Sequence, residues 1–368
     1  MKLGFFTMPV HPQGRNYAET LKEDREAFIL ADRLGYTEGY CGEHLTDEVE
    51  NIPNSMMFVA TLLGVTQQIK VGTAVINLPH SHPAIIASNA AMLDNLFEGR
   101  FIMGIGAGIL RSDAEALGIL DQNRQEMFVE AIDQVLAIWA GEPPYNIKGK
   151  YWTITTEKTL WPEVGVGSIV KPYRKPHPPI VGTASDPDSK GVIALGRRGW
   201  GPVSSNLLHV NCIANHWANY AKGAAEGGHP ADRSIWRIGR SIFVADDDKV
   251  ARSYGGDDAK SPYRFYVKQL LAKLSRFKRF AGLKSRPDMP DADITLDYTI
   301  ENLVIRGSVN HVVDQILAMH EKTGDFGTLL YCGKDWTDIG LSRRSMELMA
   351  EKVMPAVNAA IGRRVAAE

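Results

Sequence analysis

Apolar residues fall into two alternating patterns along the chain: short solid runs, and longer stretches where they recur every three or four positions. Lys2 to Thr7 is a run of the first kind. Tyr17 to Leu34 is of the second, with Leu21, Ala27, Phe28, Ala31 and Leu34 at helical spacing and Gly35 as the stop. Strand-like runs recur over 39–43, 70–78, 100–105, 177–184, 200–204, 235–245 and 328–332. Helical spacing recurs over 55–68, 83–97, 123–139, 189–197, 208–225 and 342–360. The strand runs show little polar alternation, which means that both faces are covered, as in a parallel sheet with helical crossovers. Strand and helix in alternation predict an α/β protein. Eight strand candidates fit a closed (β/α)8 TIM barrel with insertions better than an open doubly wound sheet.

Two stretches break the alternation. Residues 145–176 are rich in Trp, Tyr, Pro and Thr and read as an excursion carrying a small hairpin. Residues 254–303 mix aromatic, basic and acidic side chains and read as a helical or loop insertion, a candidate lid. Both are expected as insertions in one domain spanning residues 1–368.

Composition narrows the function. With 44% hydrophobic and 23% charged residues, the 368-residue chain has an ordinary globular balance and ample core. A formal net charge of -2 and the lack of a basic run argue against nucleic acid or an anionic membrane as partner. No apolar run reaches the roughly 18 residues of a membrane span, and the amino terminus has no signal-peptide core. Cys41, Cys212 and Cys332 are far apart with no CxxC pair, so a reducing cytoplasm is expected.

In such a barrel the chemistry belongs at the carboxyl ends of the strands. Those ends carry Glu43 and His44 (CGEHLTDE), Asn77, His80 and His82 (NLPHSHP), Gly104, Gly106 and Gly108 (GIGAG), and Ser185 and Ser189 (GTASDPDS). The glycines do not form a Rossmann fingerprint: Ile109 stands where the third glycine belongs, and no acidic residue ends the next strand. They fit a backbone that lets a flat ring approach. His80 and His82 raise a metal site, but later strand ends offer Ser, Thr, Asn and Cys in place of the ligands barrel hydrolases need, so no metal is expected. Arg124 at a helix start, with Ser185 or Ser189 before another, provides the donors of a phosphate site, although a surface arginine and N-cap serines would look alike.

The run KVGTAVINLPHSHPAIIASNAAMLDNLFEGRFIMGIGAG (70–108) resembles the bacterial luciferase-like flavin monooxygenases, with its "LD", then "GRF", then a glycine-rich strand end. GEH at 42–44 and GSVNHVVDQILAMHEKTGDFGTLL at 307–330 match in the same order over nearly the whole chain. GIGAGILRSDAEALG resembles the branch containing limonene monooxygenase and the diketocamphane monooxygenases.

The resemblance implies an FMN-dependent oxygenase component that takes reduced FMN from a separate flavin reductase and uses O2. It would oxygenate a small organic substrate, a terpenoid or ketone, via a C4a-peroxyflavin; a homodimer is also implied. His44 corresponds to the active-site histidine, and Glu43 to a residue shaping the flavin floor. The Ala74–Val75 bond sits where the family carries a non-proline cis peptide. Asn77 joins the cofactor-contacting set, and Gly106 falls near the reactive face of the flavin. Arg124 and Ser185 correspond to phosphate ligands, and Gly182, Thr183 and Ala184 to the ring edge. Ala107 stands where luciferases carry an arginine, which shifts the anchoring of phosphate toward Arg124 and the serines. Two alternatives stay open: a deazaflavin-dependent dehydrogenase or reductase on the same barrel, and a non-catalytic flavin-binding protein.

Overall fold

A computed structural model describes residues 1–365. Its strands are β1 (Lys2–Thr7), β2 (Glu38–Cys41), β3 (Lys70–Thr73), β4 (Ile76–Asn77), β5 (Phe101–Gly106), β6 (Asn146–Lys148), β7 (Thr153–Thr155), β8 (Ile180–Ala184), β9 (Gly201–Ser204), β10 (Arg237–Val244), β11 (Val304–Gly307) and β12 (Thr328–Cys332). Parallel pairing runs β1–β2–β3–β5–β8–β9–β10–β12 and returns to β1 through Lys2↔Thr328 to Phe6↔Cys332, so the sheet closes into an eight-stranded barrel. The upper half of β10 also pairs with β11, from Ser241↔Val304 to Val244↔Gly307. Among the described residues no helix is long and apolar enough to cross a membrane.

Side chains fill the barrel, as the closed architecture requires. At its base the buried Glu38 carboxylate takes two hydrogen bonds from Arg237, at 2.8 and 2.9 Å. Above them Tyr40, Ile102, Val181, Val203, Leu330 and Cys332 form an apolar layer. The surrounding helices bury their apolar stripes on the outer face of the sheet in one large core.

Several expected boundaries shift for physical reasons. The helix expected over 55–68 is Ser55–Ala60. Beyond a run of turns the Asp32 carboxylate captures the amides of Gln67, Gln68 and Ile69 at 2.8–2.9 Å and leads the chain into β3. The strand expected over 70–78 is broken into β3 and β4. Residues 145–176 contain the antiparallel hairpin β6–β7, anchored where Glu130 accepts the amides of Lys150, Tyr151 and Trp152. Residues 254–303 are largely helical, with helices Pro262–Ser275 and Leu296–Leu303. Tyr263, Tyr266 and Val267 pack with Phe243 and Ala245 in a second apolar cluster. This segment packs on the barrel as a wall.

A buried ion cluster ties the first strand-end loop to the last. His11 lies between the carboxylates of Asp335 (2.5 Å) and Asp24 (3.3 Å), and Arg15 approaches Glu23 at 2.9 Å. Burial opposes the charged imidazole, but its hydrogen bonds to Asp24 and Asp335 outweigh it and raise the pKa from 6.5 to about 9. A raised histidine stabilises the fold fully below its unfolded value and loses that contribution as pH climbs through the folded one. Stability should therefore decline as pH rises from 6.5 through about 9. Urea midpoints measured in neutral buffer and above that range check this. The wild-type midpoint should fall by more than that of His11→Gln, and equal falls would remove His11 as the cause.

Candidate active site

Inward-facing strand residues are sealed along most of the barrel wall, but not everywhere at the carboxyl ends. Phe6, Ala74, Val75 and Gly106 keep partial exposure there, and Thr183 is exposed within an otherwise buried strand. They form an open floor under β1, the β3–β4 junction, β5 and β8. Four residues that the resemblance places at the cofactor (Ala74, Val75, Gly106 and Thr183) are thus brought together.

A bulge builds this floor. Gly72 pairs with Ile102 and Ile76 with Ile105, leaving three residues on one strand opposite two on the other. The ladder is bridged there by the Thr73 hydroxyl, which donates to the Gly104 carbonyl and accepts from the Gly104 amide, both at 2.9 Å. The Ala74–Val75 peptide is cis, as the resemblance implies. Gly104 and Gly106 make this crossing possible. A Cβ on Gly104 would overlap the Thr73 carbonyl oxygen, and one on Gly106 would lie 2.5 Å from Val75 Cγ2. The room these glycines create is filled first by the neighbouring strand, a use distinct from the ring approach expected of them. Gly182 likewise turns its Cα toward Leu195 of the helix Lys190–Arg197, at 2.6 Å for a built Cβ, and only its backbone is left to the mouth.

Glu43 is fully committed. One carboxylate oxygen accepts the Ser55 amide and hydroxyl at 2.9 and 2.6 Å, and the other accepts the Asn77 amide at 2.8 Å. It fixes the loop that carries His44, and holds Asn77 against it. His44 Nδ1 lies 3.4 Å from Asp113 Oδ2 and its Nε2 lies 3.6 Å from Glu50 Oε2. Burial disfavours the imidazolium, yet the Asp113 hydrogen bond and the Glu50 charge raise its pKa. Burial also pushes the Asp113 carboxyl up, but hydrogen bonds from His44 and Thr46 bring it down to about 2. Thr46 supplies them from its amide (2.8 Å) and hydroxyl (2.6 Å).

Arg124 opens the helix Arg124–Ala140 and donates to the Gly108 carbonyl at 2.7 Å, which fixes the guanidinium at the end of β5. β5 and β8 are neighbours with Ile105 opposite Gly182, so Gly108 and Ser185 stand equally far beyond the pairing. Ser189 starts the next helix without spending its hydroxyl on the cap. His80 is depressed by burial, and the charges of Asp113, Arg124 and His44 all reach it, which places the four around one corner of the mouth. His80 Nε2 is buried without a hydrogen-bond partner among the described residues. His82 accepts the Ala84 amide as a helix cap, at 3.2 Å.

Several residues of this region escaped the sequence analysis. Asp113 sits in a short polar helix, Arg111–Ala116, within the stretch GIGAGILRSDAEALG that carried the branch resemblance but no role for this carboxylate. Glu50 and Asp47 pair with Lys273 of the wall helix, at 2.7 and 2.5 Å, joining the wall to the His44 loop. On the far side of that loop a cavity of about 440 Å³ opens, lined by His11, Arg15, Tyr17, His44, Thr46 and Asn51 among others. Of the expected site residues only His44 lines it; Arg124 and Ser185 do not.

Comparison with known proteins agrees with this architecture. Residues 1–325 match the family model described as luciferase-like monooxygenase. Over 371 residues the chain is 31% identical to 4-hydroxyprotoasukamycin monooxygenase of Streptomyces nodosus subsp. asukaensis, covering 98% of this chain and 93% of that one. It is 30% identical to limonene 1,2-monooxygenase of Rhodococcus erythropolis, with 98% and 88% covered. The solved structure of the oxygenating constituent of 3,6-diketocamphane monooxygenase from Pseudomonas putida, a type II Baeyer–Villiger monooxygenase in complex with FMN, superposes with a TM-score of 0.86 at 28% identity, covering 96% and 98%. The chain belongs to the luciferase-like monooxygenase family.

Proposed function

We propose that this protein is an FMN-dependent monooxygenase, the oxygenase component of a two-component system. It takes reduced FMN from a separate reductase and uses O2 to oxygenate a small organic substrate. The observation that carries this is the open floor of Phe6, Ala74, Val75, Gly106 and Thr183, with Arg124 beyond one edge and His44 nearby. The fit to FMN is good on chemical grounds. The floor is largely apolar, as a ring needs. Arg124 and the uncommitted Ser189 hydroxyl lie at helix starts, and Ser185 directly follows β8, on adjacent strand ends, as a phosphate needs. The similar Pseudomonas putida structure holds FMN and is an oxygenating constituent, which supports both the cofactor and the external reductase.

Bound reduced flavin supplies the reaction with dioxygen and the transfer of one oxygen atom. The chain supplies position, charge and dryness. Arg124 and Ser185 hold the phosphate, Val75 and Phe6 support the ring, and the wall with Tyr263 and Tyr266 keeps water from that side of the mouth. His44 holds a proton on Nε2 while Asp113 orients Nδ1. The 440 Å³ cavity beside His44 has the size of a small-molecule site.

Anaerobic titration with reduced FMN followed by an oxygen pulse tests the proposal. Tight binding, oxygen consumption and the absorbance of a C4a-peroxyflavin are expected. Binding of a deazaflavin without oxygen consumption would instead favour a dehydrogenase or reductase. FMN held in stoichiometric amount with no oxygenation of any added substrate would favour a binding protein. Arg124→Met should weaken FMN binding by about tenfold or more while leaving the melting temperature nearly unchanged, because it removes a charge-assisted phosphate contact. Fluorescence titration with FMN reads this, and undiminished affinity would place the phosphate elsewhere.

A further inference from the structure

Among the described residues two arginines and one lysine are buried, Arg240, Arg306 and Lys334. Arg240 donates to the Leu208 carbonyl at 2.6 Å, and Arg306 pairs with Glu301 and Asp257 at 2.8 Å. Lys334 is only 6% exposed, and among the described residues its ammonium has neither a hydrogen bond nor an ion pair. Its neighbour is the Tyr266 ring, with Nζ 3.6 Å from the centroid. A buried ammonium without an anion is costly to keep. The contact with an aromatic face offsets part of that cost.

The position of Lys334 is informative. Leu330 and Cys332 of β12 point into the barrel with Phe6, Tyr40 and Ala74, and Lys334 continues that face just beyond the strand end. Tyr266 shares the helix Pro262–Ser275 with Lys273, which pairs with Glu50 at 2.7 Å, and Glu50 lies 3.6 Å from His44 Nε2, so one chain of contacts joins Lys334 to the histidine. In the closed strand order β12 is opposite β5, the strand whose end holds Arg124. A ligand tethered by its phosphate at Arg124 and lying on the floor from Gly106 to Phe6 has its far end toward β1 and β12. Phe6 pairs directly with Cys332 there.

On the flavin reading above, the group that arrives at that far side is the ring. Oxidised flavin is neutral, whereas the reduced ring carries a negative charge over N1 and the C2 carbonyl, and protein charge near N1 tunes its electronics. We infer that Lys334, seated on Tyr266, is the counter-charge for the anionic reduced flavin and makes the site select reduced over oxidised FMN. Burial lowers the ammonium to about 8, so it is still charged at neutral pH before the ligand arrives. A site of this kind would take up the reduced product of a reductase and release the oxidised cofactor after turnover, which a protein dependent on a separate reductase requires.

The test is anaerobic titration of the wild type, Lys334→Met and Lys334→Arg with oxidised FMN and with dithionite-reduced FMN. The wild type should prefer the reduced form. Lys334→Met should lose about tenfold of reduced-FMN affinity with oxidised-FMN affinity unchanged, and Lys334→Arg should retain most of the preference. An unchanged ratio in Lys334→Met overturns the inference alone. A wild type that binds neither form overturns the flavin reading with it. Should Lys334→Met not fold, the absorbance of reduced FMN bound to the wild type in mildly acidic buffer decides: an anionic spectrum supports the inference and a neutral one overturns it.

Discussion

Gly104→Ala is expected to destabilise the protein by about 3 kcal/mol or more and to abolish FMN binding in whatever folds. The added methyl would overlap the Thr73 carbonyl oxygen, a backbone atom that cannot rotate away. Relief requires β3 and β5 to separate where the Thr73 hydroxyl spans the bulge, so both of its 2.9 Å hydrogen bonds to Gly104 are lost as well. Gly106→Ala is milder, because its methyl would meet the side chain of Val75, which can shift. Thermal unfolding of the two variants should rank them in that order, and a Gly104→Ala protein as stable as wild type would show that the bulge is not held as described.

That pair of glycines shows where sequence reasoning succeeds and where it stops. The strand run up to Gly106 was legible because a solid apolar stretch covered on both faces has few other ways to fold. The glycines were legible as sites of close approach, but the approaching group is a neighbouring strand about 30 residues earlier in the chain, as the Thr73–Gly104 bonds show. Long-range polar contacts hid other features. The entry into β3 depends on Asp32, far upstream. β11 carries Arg306, whose guanidinium is neutralised by Glu301 and Asp257, so the run VIRG did not read as a strand. The helix that follows it, Val309–Thr323, lay within a stretch matched to the family but was not read as an element.

The site divides in the same way. His44 and the Ala74–Val75 bond came from motifs, since family likeness preserves local order along the chain, and Arg124 from its place at a helix start. Glu50 and Lys334 lie in no quoted motif, and Asp113 lies in one that gave it no role; all three are defined by what the fold brings to them. Lys334 was within reach of a simple count, because it continues the inward parity of Leu330 and Cys332, but a lysine two residues past a strand end ordinarily reads as solvated. The wall was harder to foresee. Its aromatic residues are spaced as in any amphipathic helix, and only the tertiary contacts of Tyr263 and Tyr266 show which surface they cover.

His44→Ala should lower oxygenation by about 10²–10⁴-fold while FMN still binds, because a positioned proton donor contributes that much and the phosphate contacts lie elsewhere. The more discriminating variant is Asp113→Asn. Asp113 orients Nδ1 and holds the imidazole charged against its burial, so without that carboxylate the pKa of His44 should fall from its raised value. The limb of the pH–rate profile that follows His44 should then move toward acid, and the rate at neutral pH should drop. The same pair contributes to stability on two sides. The histidine share is full below 6.5 and fades as pH rises through the raised value. The carboxylate share is full above 3.8 and fades as pH falls through about 2. Asp113→Asn should therefore narrow the stability difference between mildly acidic and alkaline solution, which denaturant midpoints across that range would record. A variant with an unmoved rate profile and an unmoved stability profile would leave His44 without its orienting partner and make Asp113 no more than a cap for Thr46.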